Sequence, residues 1–244
     1  MLEAPVFSKL TLAPAYRQVA ESVGQLISSG KLRPGELLPT EMELALHLGV
    51  NRSTLREGLR AVEHEGLVRR DGKRLRVAIP HYTDLATRAS RALTMQQVTF
   101  RELWETAMAM ETLTAVLAVE RINGEAISQL DANIAEMAAN IKDIDRVVSL
   151  DIEFHDLLAE AANNRALSLA REPISLLFFP AGKIILPRLK TQKRILDAHK
   201  KIIELIKQRN SQEVGTWMRR HLADMKRGYQ ATGLDMEQPL DGAL

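Results

Sequence analysis

The chain contains no cysteine, and aromatic residues make up only 4% of it. The absence of cysteine excludes disulfides, thiolate catalysis and cysteine-based zinc sites. The scarcity of aromatic residues, with abundant alanine and leucine, favours helix over sheet. The longest apolar stretch, at 174–186, is broken by Pro180, Gly182 and Lys183, so it does not read as a plain transmembrane helix. No basic segment precedes an apolar core in the first residues, so no signal peptide is predicted, and we expect a soluble, cytoplasmic protein.

The length of 244 residues fits one large or two small domains, and 45% hydrophobic with 26% charged residues is typical of a globular chain. The net charge of +2 says little about partners. Its distribution is more informative, because five basic residues and only Asp71 as an acid fall between Arg69 and Arg76. Such a cluster indicates a surface that binds a polyanion. The alternative is a solvated strand edge that its charge protects from aggregation.

Residues 1–80 are predicted to form a winged helix-turn-helix domain. An apolar helical pattern begins at Ala15 and ends at Gly30. Thr40 and Glu43 then form a capping-box pattern at the start of a second helix, which Gly49 ends. A third helix runs from about 52 to 64, and two short strands, 67–70 and 75–79, follow around an Asp-Gly turn.

The remainder is predicted to be helical. After a linker at 81–83, apolar stripes continue through 84–231, in segments near 84–97, 100–121, 124–140, 144–162, 165–186, 189–208 and 211–230. The breaks between them are short, with one at Pro187, which favours an antiparallel bundle of six to seven helices. Residues 232–244 are predicted to be a flexible tail. The fold class is therefore mainly α.

The third helix is the one that would enter a major groove of DNA. Its first residues would meet base edges, and Arg52 and Arg56 lie one turn apart there. Hydroxyl groups at the helix start and the basic wing would contact phosphates or the adjacent groove. The alternative for each residue is a simple cap or a solvated charge. The candidate DNA-binding residues are Thr40, Asn51, Arg52, Ser53, Thr54, Arg56, Gly72, Lys73 and Arg74.

A second constellation lies in the helical region. Asp151 and His155 are spaced i, i+4 on one predicted helix, and His199 and His221 fall on two later helices. If these side chains converge, one carboxylate and three imidazoles make a site suited to Zn²⁺, with Ni²⁺, Mn²⁺ or Fe²⁺ as alternatives. The competing interpretation is a set of hydrogen-bonded core histidines.

The N-terminal pattern resembles the GntR family of transcription regulators over residues 10–79. The motifs that carry the resemblance are Tyr16-Arg17-Gln18-Val19-Ala20, Pro34-Gly35, Leu38-Pro39-Thr40-Glu41, Leu48-Gly49-Val50 and Arg52-Ser53-Thr54-Leu55-Arg56-Glu57. The resemblance implies binding of a palindromic DNA operator by a homodimer. This chain departs from the family in having Met42 where an arginine is usual.

Residues 84–230 resemble the FCD-type ligand-binding domain of the FadR subfamily, through Asp151-Ile152-Glu153-Phe154-His155 and the later His199 and His221-Leu222. The resemblance implies that Asp151, His155, His199 and His221 are metal ligands beside a small-molecule effector. It also implies an effector pocket near Trp104, Ala107, Glu111 and Asn164. Ala107 stands where the family has an arginine that pairs with an effector carboxylate. Either the effector is less anionic, or Arg101, Lys183 or Arg188 substitutes.

These observations predict a metabolite-responsive transcription regulator, a repressor in expectation, that senses an organic acid or other metal-coordinating ligand and is not an enzyme or a membrane protein. One alternative is a metal-dependent hydrolase with an accessory DNA-binding module. The other is a constitutive DNA-binding protein without an effector.

Overall fold

The computed structural model describes residues 13–79 and 82–239. The chain divides into two compact units, with the boundary between residues 81 and 82. Most of the predicted linker at 81–83 is helical, because Tyr82 and Thr83 already belong to the first helix of the second unit. Residue 81 and residues 240–244 of the predicted tail lie outside the described residues.

The first unit has the predicted order of three helices and a hairpin. Its elements are α1 (Ala15–Ser28), α2 (Glu41–Leu48), α3 (Arg52–His64), β1 (Val68–Asp71) and β2 (Arg74–Val77). Helix α1 packs on α3, and the predicted inner face of α3 is buried, with Leu55, Leu59 and Val62 at most 3% exposed. These side chains join both strands in one apolar core.

Local signals fix the ends of the helices in this unit. The Thr40 hydroxyl accepts a hydrogen bond from the Glu43 amide, and the Glu43 carboxylate accepts one from the Thr40 amide at 2.7 Å, which completes the predicted capping box. Gly49 ends α2 with a φ of 64°, a left-handed conformation that glycine adopts without strain. Asn51 then caps α3 by accepting the Thr54 amide at 2.8 Å.

The hairpin is tighter than predicted. Asp71 pairs with Arg74, so the connecting turn is Gly72-Lys73, with φ of 60° at Gly72, and not Asp71-Gly72. The segment before α2 runs antiparallel to β2, where the Leu38 amide donates to the Leu75 carbonyl at 2.8 Å. The wing is thereby fixed beside the start of α2.

The second unit is a bundle of helices. Its members are α4 (Tyr82–Met95), α5 (Phe100–Arg121), α6 (Gly124–Ala139), α7 (Ile144–Ala161), α8 (Arg165–Phe178), α9 (Gly182–Leu189), α10 (Gln192–Lys207) and α11 (Ser211–Ala231). Helix α5 packs along α11, and α7 contacts α5, α6 and α10. No helix in the described ranges is long and apolar enough to cross a membrane.

Two prolines act differently from the prediction, which treated 165–186 as one helix and Pro187 as a break. The chain leaves α8 at a 3₁₀ turn, Phe179–Ala181, because Pro180 has no amide hydrogen to continue the helix. Pro187 instead lies inside α9, which ends at Lys190 with a φ of 52°. Over the described residues, this unit therefore has eight α-helices, above the six to seven expected.

The segment after α11 is packed against the bundle as far as it is described. Met236 is 3% exposed, and its carbonyl accepts the Arg101 amide at 3.1 Å. Thr99 and Pro239 form an isolated antiparallel bridge. Apolar burial and these backbone hydrogen bonds explain why 232–239 differ from the flexible tail that the polar composition predicted.

Candidate functional site

The first unit presents one basic concave surface. The start of α3 and the wing both line it, through Arg52 and Arg56 on one side and Gly72, Lys73 and Arg74 on the other. Thr40, Met42 and Arg70 line it as well. Five positive side chains thus face a single acid of the same surface, Glu41. The folding of the hairpin against α2 brings together charges that are distant in sequence.

The basic side chains of this surface differ in whether they already form a hydrogen bond within the protein. Arg56 donates to Glu41 at 2.7 Å, and Arg74 donates to the Leu38 carbonyl at 2.6 Å. Arg52 and Lys73 are exposed. Arg52 and Lys73 are therefore available to a polyanion without breaking an internal bond, whereas Arg56 must exchange its partner.

The other predicted contact residues organise the start of α3. Asn51 accepts hydrogen bonds from the Thr54 amide and from the Ser53 hydroxyl, the latter at 2.7 Å. The basic concave surface is not lined by Asn51, Ser53 or Thr54. Asn51 and Ser53 are nevertheless exposed to solvent at the start of α3. The start of α3 carries the positive end of the helix dipole, which favours an anion.

In the second unit, the four predicted metal ligands come together. Asp151 and His155 project from α7, His199 from α10 and His221 from α11, and all four are buried. Their candidate donor atoms lie within 4.8 Å of one another. We refer to these four residues as the histidine cluster.

Three of the donor–donor distances within the histidine cluster match those between neighbouring ligands of one cation, and His221 Nε2 lies 3.7 Å from Asp151 Oδ1. His221 Nε2 lies 3.3 Å from both His155 Nε2 and His199 Nε2, and His199 Nε2 lies 3.1 Å from Asp151 Oδ1. Metal–nitrogen bonds of about 2.0–2.1 Å in a tetrahedral site place neighbouring ligand atoms about 3.3 Å apart. The separation of the donors thus suits a first-row divalent ion.

Hydrogen bonding alone leaves the histidine cluster incompletely satisfied. His155 Nδ1 lies 3.0 Å from the Glu111 carboxylate, which only accepts, so the proton belongs on Nδ1 and Nε2 presents a lone pair to the cluster. Asp151 Oδ1 is buried and forms no well-directed hydrogen bond, although His199 Nε2 lies 3.1 Å from it. A cation accepts lone pairs from all these atoms at once, so the residues present fit a divalent metal.

The electrostatics keep Asp151, His199 and His221 in the protonation states that bind metal. Burial alone would raise the pKa of Asp151, but the adjacent His199, His221 and His155 lower it to about 2. Burial lowers the pKa of His199 despite the opposing effect of Asp151, and burial together with His199 lowers that of His221 well below its usual value. The carboxylate is therefore ionised and these two imidazoles are neutral near pH 7.

Glu111 and Arg171 form a buried hydrogen-bonded pair that contacts His155 of the histidine cluster. Arg171, on α8, donates through Nε to Glu111 at 2.8 Å, and through Nη1 to Asp156 at 2.8 Å. Burial would raise the pKa of Glu111, but His155 and Arg171 lower it below its usual value. The carboxylate that orients His155 is thus held in its charged form by a buried guanidinium.

Sequence reasoning missed Arg171 altogether. The sequence spacing did indicate its position. Arg171 is four residues after Leu167, three before Ile174 and seven before Phe178, so it lies within the apolar stripe of α8. A charged residue on such a stripe predicts a buried partner.

The predicted effector-pocket residues have other contacts. Trp104 Nε1 donates to the Leu222 carbonyl at 3.0 Å, Ala107 is buried, Glu111 bonds His155 and Arg171, and Asn164 caps α8. None of the four lines the cavity that reaches His221.

The predicted substitute cations also do not line that cavity. Arg101 pairs with Glu237, Arg188 donates to the Thr232 carbonyl at 3.0 Å, and Lys183 is exposed.

A winged helix-turn-helix with a basic concave surface, followed by a helical domain with a buried histidine cluster, is the architecture of a DNA-binding regulator. Family models agree in both parts: residues 15–77 match the gntR family of bacterial regulatory proteins, and residues 102–224 match the FCD domain. The chain belongs to the GntR family and carries an FCD domain.

Relatives of the chain are named as transcription regulators. The HTH-type transcriptional regulator YcbG of Bacillus subtilis is 32% identical over 165 residues, 67% of each chain. The Glc operon transcriptional activator of Escherichia coli is 26% identical over 91% of each chain. The HTH-type transcriptional repressor NanR of Klebsiella aerogenes is 25% identical over 88% of this chain and 85% of its own.

The fold has a counterpart among solved structures. Streptococcus agalactiae GntR superposes with a TM-score of 0.61 at 23% identity, covering 87% of this chain and 99% of its own.

Proposed function

We propose that the protein is a cytoplasmic, homodimeric transcription regulator that binds a palindromic operator and responds to a small molecule at a metal ion. The observation that carries the DNA-binding part is the basic concave surface, in which the start of α3 and the wing share one face. Base contacts from Arg52 would specify the sequence, and Lys73 would contact phosphate.

The histidine cluster supports the sensing part of the proposal. Asp151, His155, His199 and His221 would hold a divalent cation, with Zn²⁺ favoured by its three imidazoles and one carboxylate. When bound, such a cation supplies a Lewis acid that a carboxylate or similar oxygen ligand can join. Glu111 orients His155, and burial keeps bulk water from competing for the site.

Sensing requires that the effector bind the free and DNA-bound forms with different affinity. A repressor is the form we favour, in which the effector binds the free form more tightly and so weakens operator binding. Both kinds of relative occur, since NanR is named a repressor and the Glc operon regulator an activator.

Homodimerisation follows from the pairing of half-sites in a palindromic operator. Leu169 and Leu176, seven residues apart on α8, are 39% and 42% exposed and are candidates for the contact between copies. Analytical ultracentrifugation of a Leu169→Glu/Leu176→Glu variant tests this part, and a mass of one chain for the wild type would contradict it.

The test of the main proposal starts from DNA. An operator is selected from a random duplex pool with the purified protein, and affinity is then measured by fluorescence anisotropy over a series of salt concentrations. Arg52→Ala is expected to cost about 1–3 kcal/mol and to relax preference at one base pair. Lys73→Ala is expected to weaken binding evenly across sequences and to reduce the salt slope by about 1.

Lys142→Ala is the matched control, because it removes one exposed positive charge from the helical unit. It should leave both affinity and base preference unchanged. Full sequence-specific binding by Arg52→Ala would show that another element reads the bases.

A further inference from the structure

A cavity of about 200 Å³ lies beside the histidine cluster, between α9, α10 and α11. His221 lines it, so the cavity reaches one of the four candidate metal ligands. Most of its wall is aliphatic and comes from Ile185, Leu186, Leu189, Ile195 and Met225. A surface of this kind offers dispersion contacts and burial but few hydrogen bonds.

The cavity wall depends on two glycines. A Cβ at Gly228, on α11, would lie 2.8 Å from Ile185 Cγ2, and one at Gly182 would lie 3.2 Å from Val148. Both glycines line the cavity. Helix α9 can therefore approach α11 and α7 only because these positions lack side chains, and this approach shapes the apolar wall.

The charged groups at the cavity are paired with one another. Asp224 accepts a hydrogen bond from Arg194 at 2.7 Å and also pairs with Arg227. Together these three side chains carry one net positive charge, which favours an anionic ligand, and the candidate cation site lies on the side of the cavity that His221 lines.

The volume sets the size of the ligand. Aliphatic cavities of about 150 Å³ accept benzene, so about 200 Å³ holds roughly six to ten non-hydrogen atoms. We infer that the effector is a monocarboxylate with a hydrocarbon body, such as a medium-chain or alicyclic acid. Its body fills this cavity while its carboxylate reaches the cation beside His221. This inference rests on the proposed metal site. A short hydroxy acid or dicarboxylic acid would leave the apolar wall uncovered.

The experiment compares two simple acids on the Zn²⁺-loaded full-length protein. Titrations of hexanoate and acetate are followed by NMR of the protein and by calorimetry. Each buried methylene contributes about a fourfold gain in affinity, so hexanoate is expected to bind roughly 200-fold more tightly than acetate. Ala231→Phe, at an exposed position that lines the cavity, should weaken hexanoate binding about tenfold or more.

Gln230→Phe is the control, because it adds the same ring at an adjacent exposed position that does not line the cavity. Metal content is measured in every variant. Three results would overturn the inference in a protein that still binds Zn²⁺. They are equal affinity for the two acids, no binding of either acid, and an affinity for hexanoate that Ala231→Phe does not change. A wild-type protein that binds no Zn²⁺ would overturn the proposed metal site itself, and the inference with it.

Discussion

Replacing Glu111 by glutamine is expected to weaken both metal binding and the stability of the fold. In the native chain one carboxylate oxygen faces His155 Nδ1 at 3.0 Å and the other accepts Arg171 Nε at 2.8 Å, with both partners almost fully buried. Removing such an outer partner of a metal-bound histidine lowers metal affinity about 10- to 100-fold. This corresponds to about 1.4–2.7 kcal/mol of binding free energy.

The same substitution also leaves the Arg171 charge without its buried partner. Breaking a buried ion pair costs about 3–5 kcal/mol. Asp156 still accepts from Arg171 and is 45% exposed, so we expect a loss near or below the lower end of this range. Urea unfolding in the presence of a chelator measures this term without the contribution of bound metal.

A double variant, Glu111→Gln with Arg171→Met, isolates the metal effect. It removes the unpaired buried charge, so it should recover most of the lost stability but not the lost Zn²⁺ affinity, which a competition titration with a chelating dye measures. Unchanged Zn²⁺ affinity in Glu111→Gln, or recovery of both properties in the double variant, would refute the supporting role assigned to Glu111.

Three further predictions concern stability, measured by urea unfolding. In the metal-free protein, burial lowers the pKa of His199 and His221 below the unfolded value of 6.5, so their contribution is complete above pH 6.5 and declines as the pH falls. We expect about 1.4 kcal/mol per pH unit for each histidine that stays neutral; equal stability at pH 7.5 and 5.5 would contradict this. Asn51→Ala should destabilise the first unit by about 0.5–2 kcal/mol through loss of the α3 cap, and an unchanged midpoint would show that the cap is dispensable. Gly228→Ala should cost about 1–3 kcal/mol by overpacking, whereas Gly124→Ala, where a Cβ meets nothing within 4 Å, is the control and should be neutral or stabilising.

Local signals in the sequence were sufficient for much of the first unit. Thr40, Glu43, Gly49 and Asn51 act within a few residues of themselves, so their capping and turn roles are predictable from spacing alone. The turn of the wing was displaced by one residue, since strand pairing between Asp71 and the residue after the loop decides the register.

Nonlocal packing explains what the sequence did not reveal in the second unit. The i, i+4 spacing of Asp151 and His155 predicts a shared helix face, but only the resemblance to a family joined them to His199 and His221. The cavity beside His221 and the buried pairing of Arg171 depend on how α8 to α11 pack. No short sequence window contains that information.

Pro187 also shows that local sequence does not determine where these helices end. Proline usually ends a helix, yet α9 continues past it to Leu189, where packing against α11 outweighs the local preference. Conversely, Pro180 does interrupt the helical pattern, at the turn where the chain passes from α8 to α9.

Metal analysis of the purified protein tests the central claim most directly. The full-length protein is prepared without chelators or an affinity tag that binds metal, and its metal content is determined by elemental analysis and native mass spectrometry. It is compared with a variant in which Asp151, His155, His199 and His221 are all replaced by alanine, with circular dichroism to verify that the variant is folded. The account predicts about one divalent ion per chain in the wild type and none in the folded variant. A wild-type protein that remains metal-free after incubation with Zn²⁺ would make the histidine cluster a hydrogen-bonded core and contradict the account.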